Sequence, residues 1–202
     1  MNTKRNKINT RTMVIISALS AIAVILQLVE MPVNFAPQFL KLDFSDIPAL
    51  IGAFSLGPFA GALIELLKNL LFVIVRGTNS GMIGEVANFA IGSALVVPAG
   101  IIYKRNKNFK NAVLALIVSV FSFVLAGYIL NKLLLFPLYE KIFMPRETII
   151  AMGNAINKNV STIDQVLLFT VVPFNFVKAI LESIITLVLY KPISPIIKGK
   201  SK

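Results

Sequence analysis

Six apolar runs separated by polar connections dominate the chain: about Thr12–Val29, Ile47–Leu56, Gly57–Val75, Ile83–Tyr103, Ala112–Leu135 and Phe174–Tyr190. The hydrocarbon core of a bilayer is about 30 Å thick, so a crossing helix takes about 20 apolar residues. All but the second run approach that length. Ile47–Leu56 is too short to cross as a straight helix and is expected to pack within the bundle. The sequence therefore predicts an all-α integral membrane protein, a six-transmembrane-helix bundle with a short second helix. Of its 202 residues 56% are hydrophobic, against roughly 45–50% in soluble domains. Helices and connections use up that length, and residues 1–202 read as a single transmembrane domain with no separate soluble one. The opening "MNTKRNKINTRT" and the apolar stretch after it resemble a signal peptide. Met13–Val29 exceeds the usual h-region, however, and no small-x-small cleavage site follows, so the first helix is expected to be retained.

Lysine and arginine give the chain a net charge of +11. They gather at span ends rather than on an aromatic-rich basic face, which argues for the bilayer as partner and against nucleic acid. Lys4, Arg5, Lys7 and Arg11 precede the first run, Lys104, Arg105, Lys107 and Lys110 join the fourth and fifth, and Lys191, Lys198, Lys200 and Lys202 follow the last; together these are 12 of the 20 basic residues. The positive-inside rule then places both termini on the cytoplasmic side, with residues 1–11 as a cytoplasmic N-terminal segment. On the opposite side two connections are long. Residues 30–45, with Pro32, Pro37 and several aromatic or aliphatic anchors, read as an ordered cover or lid. Residues 139–172 form a second outer loop, in which Pro145 precedes a weakly amphipathic helix and Ser161-x-x-Asp164 resembles a helix cap.

Ionisable side chains inside a membrane cost about 2.5–3.5 kcal/mol each on insertion scales, so they pair, face a cavity, or both. Glu65, Lys68 and Asn69 share one helical face, where Glu65–Lys68 is equally an internal ion pair or a ligand contact. Glu85 and Asn88 share a face near an outer boundary, where Glu85 also suits a first helical turn. The fifth run carries Asn131 and Lys132, and the latter can snorkel outward. The last run carries Asn175, Lys178 and Glu182; an asparagine followed three residues later by lysine offers donors and an acceptor to one polar solute. Cysteine and histidine are absent. Thiol chemistry, the usual zinc and haem ligands and the commonest general base are thereby removed. No metal motif or phosphate loop of the form G-x-x-x-x-G-K-[ST] occurs, so neither catalysis nor ATP binding is expected. On the first helix Ser17 and Ala21, four apart, permit close approach of another helix, internal or external.

The ordered set "FLKLDFSDIPALIGAFSLGPFAGALIELLKNLLF", "GEVANFAIGSALVVPAG", "NKLLLFPLY" and "PFNFVKAILESIITLVLYKPISP" resembles the riboflavin-specific substrate-binding subunit, or S component, of energy-coupling factor (ECF) transporters. The resemblance spans Arg11–Pro195. It implies six membrane helices, a vitamin bound at the extracellular side, and energy supplied by an ECF transmembrane coupling protein and two ATPase subunits. It implies no enzyme activity and no cofactor, riboflavin being the transported ligand. By the same resemblance Asn175 and Lys178 hydrogen-bond the pyrimidine-dione edge of the flavin and Asn131 reaches the same ring. Lys68, Asn69, Glu85 and Asn88, with Glu65, are weaker candidates for the ribityl tail or for supporting positions. The 30–45 loop, including Phe39, Leu40 and Asp43, resembles the family's gate. Ser17 and Ala21 fall where the family carries Ala-x-x-x-Ala for docking the coupling protein, with serine replacing the first alanine. The alternatives are the same scaffold with another vitamin or precursor, a membrane-embedded enzyme using Glu65 or Glu85 as base, and a self-contained carrier.

Overall fold

The structure, a computed structural model, describes residues 9–78 and 80–198; the basic positions Lys4, Arg5, Lys7, Lys200 and Lys202 lie outside the described residues. It is predominantly helical. Helix α1 (Thr10–Leu28) starts where the Asn9 side chain accepts the Arg11 backbone N–H at 2.6 Å. It buries Ile16, Leu19, Ala23 and Val24 and leaves Val14, Ile22 and Ile25 exposed. Among the described residues five helical stretches are long and apolar enough to cross a membrane: Thr10–Leu28, Pro58–Arg76, Ile83–Arg105, Phe109–Ile142 and Ile163–Ile193.

Helix α2 (Asp46–Leu56) is 11 residues long, about 16 Å, and buries every residue from Asp46 to Phe54. It meets α3 (Pro58–Arg76) at Gly57, whose φ of 111° is followed by Pro58, already suited to a first helical turn. Helix α3 packs on α1, α2 and α4 (Ile83–Arg105), and α4 packs on α5 (Phe109–Leu130). The α1 face that packs inward is therefore the Leu19–Ala23 side, while Ser17 and Ala21 stay exposed.

Between α1 and α2 the chain is ordered. Strands β1 (Met31–Pro32) and β2 (Lys41–Leu42) pair antiparallel, Met31 opposite Leu42, and close a compact loop. The loop is anchored by rings: Phe39 stands edge-on to Phe136 at 5.9 Å and Phe35 lies 6.4 Å from Phe174.

The segment 139–172, expected as an outer loop with a weakly amphipathic helix after Pro145, is mostly helical. After α5 the chain passes through a π-helical turn, Asn131–Leu135, into α6 (Phe136–Ile142); α7 covers Arg146–Ile156. Helix α8 (Ile163–Val166) passes through a second π turn, Leu167–Val171, into α9 (Val172–Lys198). The last long helix thus starts at Ile163, well before Phe174. Its cap is one residue later than expected: Thr162 accepts the Gln165 backbone N–H at 3.3 Å, and Gln165 Oε1 accepts the Thr162 N–H in return. A capping box needs a long acceptor at its fourth position, which Gln165 supplies and Asp164 is too short to supply. Phe136, Ile149, Val160, Val166, Leu167 and Val171 make a small second core under the 30–45 loop.

At the end of the bundle remote from that loop, Phe54, Tyr103 and Tyr190 interlock. Phe54 lies 4.5 Å from Tyr103 and 5.2 Å from Tyr190, and the Tyr190 hydroxyl donates to the Tyr103 hydroxyl at 3.0 Å.

Candidate functional site

A cavity of about 180 Å³ opens under the 30–45 loop, between α4, α5 and α9. Apolar side chains make most of its wall, among them Phe39, Leu40, Ile91, Phe123, Leu135 and Phe174. Polar residues line it from several elements: Asn88 from α4, Asn131 from the first π turn, Tyr139 from α6, Asn175 and Lys178 from α9, and Lys41 and Asp43 from the loop. Six of the residues singled out from sequence, Leu40, Asp43, Asn88, Asn131, Asn175 and Lys178, are therefore brought together here. A wider mouth of about 260 Å³ adjoins it, sharing Phe39, Lys41, Asp43, Gly84 and Asn88 and adding Gln27, Glu30, Arg76 and Glu85. Together the two spaces fall within the range of about 300–1,000 Å³ usual for small-molecule sites.

The asparagines are placed by close helix contact. Asn175 is 5% exposed, and its Nδ2 lies against Gly127 of α5 with no hydrogen-bond acceptor. A Cβ at position 127 would stand 3.2 Å from Asn175 Cγ and overlap its amide nitrogen, so glycine here leaves the amide the place it occupies against α5. Leaving a buried amide donor unsatisfied costs about 1–3 kcal/mol, a cost that a ligand acceptor removes. Asn131 Nδ2 donates to the Gly127 carbonyl at 2.7 Å, which fixes its side chain at the cavity wall. That bond sits in the π turn, where one extra residue per turn re-aims the side chains that follow.

Lys178 is 6% exposed and meets three carboxylates. Its Nζ donates to Asp43 Oδ2 at 2.9 Å and stands 3.4 Å from Asp46 Oδ2 and 3.9 Å from Glu182 Oε1. Behind it, Lys68 is sealed between Asp46, to which it donates, and Glu65 Oε2 at 2.7 Å. Gly92 makes room for this cluster, since a Cβ there would stand 2.9 Å from Glu65 Cδ and 3.4 Å from Asp46 Oδ1. The short α2 explains the arrangement, because it begins at Asp46 and so delivers its first carboxylate to the bundle interior. Two ammonium groups thus face four carboxylates, and pairing offsets part of their desolvation.

The remaining candidates part from the cavity. Of the two readings of Glu65 and Lys68, the internal ion pair is the one formed, and neither residue lines either space. Asn69 donates to the Glu65 carbonyl at 2.9 Å and accepts from Gln27 at 3.5 Å, so it braces α3 against α1. Glu85 accepts from the hydroxyls of Thr78 at 3.1 Å and Ser80 at 2.9 Å at the lip of the mouth, as a first-turn carboxylate. Lys132 pairs with Asp164 at 2.8 Å and faces the Tyr128 ring rather than running free. The sequence reading gives neither Asp46 nor Gly127 a role at the site. Asp46 opens an apolar run, which signals a helix start; Gly127 carries no signal, because its importance lies in a contact 48 residues away along the chain.

Comparisons with known proteins converge on one group. The family model described as ECF transporter, substrate-specific component, matches residues 11–190. The riboflavin transporter RibU of Staphylococcus aureus is 34% identical over 96% of each chain. The riboflavin transporter FmnP of Bacillus subtilis is 30% identical over 92% of this chain and 93% of its own. A solved structure described as "Structure and mechanism of the S component of a bacterial ECF transporter" aligns with a TM-score of 0.72 at 32% identity, covering 93% of this chain and 98% of that one.

Proposed function

Because the chain belongs to the family of ECF transporter substrate-specific components, we propose that it is a high-affinity riboflavin-binding membrane subunit of a vitamin uptake transporter. The family supplies a transporter's substrate-binding component, not an enzyme. The observation that carries the ligand assignment is the buried Asn175 amide, whose nitrogen lacks an acceptor in the wall of a slot that mixes aromatic and aliphatic side chains with a few polar ones. A flavin has an apolar dimethylbenzene end, a dione edge that both donates and accepts, and a hydroxylated tail. Asn175, Asn131 and Lys178 suit the dione edge, the aromatic wall suits the ring, and the mouth with Asn88 and Glu85 suits the tail.

Binding proceeds from the outer side in this reading. All six helices are embedded, α2 within the bundle, and both termini are cytoplasmic, as the basic clusters at Lys104–Lys110 and the chain ends favour. The 30–45 loop acts as the gate, with the Asp43–Lys178 ion pair and the Phe39–Phe136 contact holding it shut. Nanomolar capture corresponds to about −12 kcal/mol, so release needs work from outside the subunit. A coupling protein docking on the exposed Ser17 and Ala21, with two ATPase subunits, supplies it.

Titration of purified protein with riboflavin, read by quenching of flavin fluorescence, tests the assignment. Near-stoichiometric quenching is expected, and a protein that quenches no flavin but binds another vitamin would overturn it.

A further inference from the structure

The lip of the mouth carries a cation pair, Lys41 and Arg76, to which the flavin assignment gives no role, although Lys41 borders both slot and mouth and Arg76 borders the mouth. Glu30 follows α1, Lys41 opens β2 and Arg76 closes α3. Lys41 Nζ and Arg76 Nη1 both donate to one oxygen, Glu30 Oε1, at 2.5 Å each. One carboxylate facing two cations leaves one positive charge uncompensated within the cluster. The nearest acids of the mouth are engaged elsewhere, Asp43 with Lys178 and Glu85 with the Thr78 and Ser80 hydroxyls. Both cationic side chains remain 39% exposed, and a guanidinium that spends one N–H on Glu30 retains four.

On its outer flank the pair overlooks a second space, a groove of about 600 Å³ bounded by Leu28, Glu30, Pro32, Lys41, Val75 and Arg76. Its apolar side chains are open: Val75 is 63% exposed, and Val29 and Ile74 beside it are 62% and 77% exposed. The groove lies between the ends of α1 and α3, both of membrane-crossing length, so its apolar floor faces acyl chains. Its cations stand where a span ends and headgroups begin.

We infer that Lys41 and Arg76 form a binding site for the phosphate diester of an anionic phospholipid whose acyl chain lies along Leu28 and Val75. The single negative charge of the diester matches the single uncompensated cation. The open apolar floor directly below distinguishes a lipid from a small soluble anion, which has no use for it. Lys41 belongs to the 30–45 loop, so the bound headgroup competes with Glu30 for a residue of the gate.

The chain has no tryptophan, so Val75→Trp supplies a single reporter in the groove. The full chain carrying it is placed in vesicles of phosphatidylcholine containing brominated phosphatidylglycerol or brominated phosphatidylcholine. About fivefold preferential quenching by the brominated anionic lipid is expected, the effect of one net charge at a lipid surface. The preference should fall to one in Lys41→Gln/Arg76→Gln and persist in Lys41→Arg. A second reporter, Ile117→Trp on the exposed side of α5, should show no preference with or without the substitutions. Equal quenching at position 75 by both lipids, or a preference that survives the double substitution in protein of unchanged helicity, overturns the site. A soluble source of the phosphate is separated by comparing riboflavin with its 5′-phosphate. If the double substitution weakens only the phosphorylated flavin and leaves lipid quenching unchanged, the cations serve the mouth and the lipid reading fails.

Discussion

Replacing Gly127 by alanine separates stability from ligand affinity, because the two should move in opposite directions. The new Cβ would stand 3.2 Å from Asn175 Cγ and inside the contact radius of Nδ2, whereas carbon contacts settle at about 3.5–4.0 Å. The amide must therefore withdraw by about 1 Å, and binding geometry tolerates only about 0.5 Å. Losing the two hydrogen bonds that a side-chain amide offers a dione edge, at about 0.5–1.5 kcal/mol each, raises the riboflavin Kd by about 5- to 150-fold. The obstructing group is the end of a mobile side chain, and alanine is favoured over glycine inside a helix by roughly 0.5–1 kcal/mol. Thermal unfolding of the free protein in detergent should accordingly be unchanged or raised. Fluorescence titration of Gly127→Ala, Asn175→Ala and the double variant completes the test. If the alanine acts through Asn175, the double variant binds no worse than Asn175→Ala alone. A parental Kd for Gly127→Ala, or fully additive losses, would refute the contact as the source of affinity.

Other perturbations reach other parts of the molecule. Lys68→Met leaves Asp46 and Glu65 buried without their shared ammonium and should cost about 3–5 kcal/mol, read as a fall in the unfolding midpoint. Asp43→Asn removes the charged bond between the 30–45 loop and α9, worth about 1.5–3 kcal/mol, and, if that loop gates the site, stopped-flow fluorescence should show riboflavin leaving at least about tenfold faster with little change in its entry rate. Ala21→Leu, on the exposed face of α1, should leave the Kd unchanged while abolishing co-purification with the coupling protein, and retained assembly would remove this face from the interface.

The legibility of this chain follows from where its information sits. Apolar runs longer than a soluble helix needs, interrupted by amides and charges that lipid penalises, announce the spans and single out Asn131, Asn175 and Lys178. The Gly57-Pro58 punctuation marks the α2–α3 junction. Local pattern could not show which carboxylates meet which lysines. Glu65–Lys68 was visible as neighbours on one face, but Asp46 and Asp43 join the network through packing across 22 and 135 residues of chain. The π turns were equally hidden, since Asn131–Leu135 and Leu167–Val171 are ordinary apolar sequence. The outer segment 139–172 is largely helix because α7 forms within it and the long helices on either side run into it through α6 and α8.

The interlocked rings of Phe54, Tyr103 and Tyr190 give the subunit a stopper. In the proposed carrier such packing would oppose passage of solvent from the slot to this end of the bundle, so a copy waiting idle in the bilayer would not bleed away the ion gradients the cell maintains.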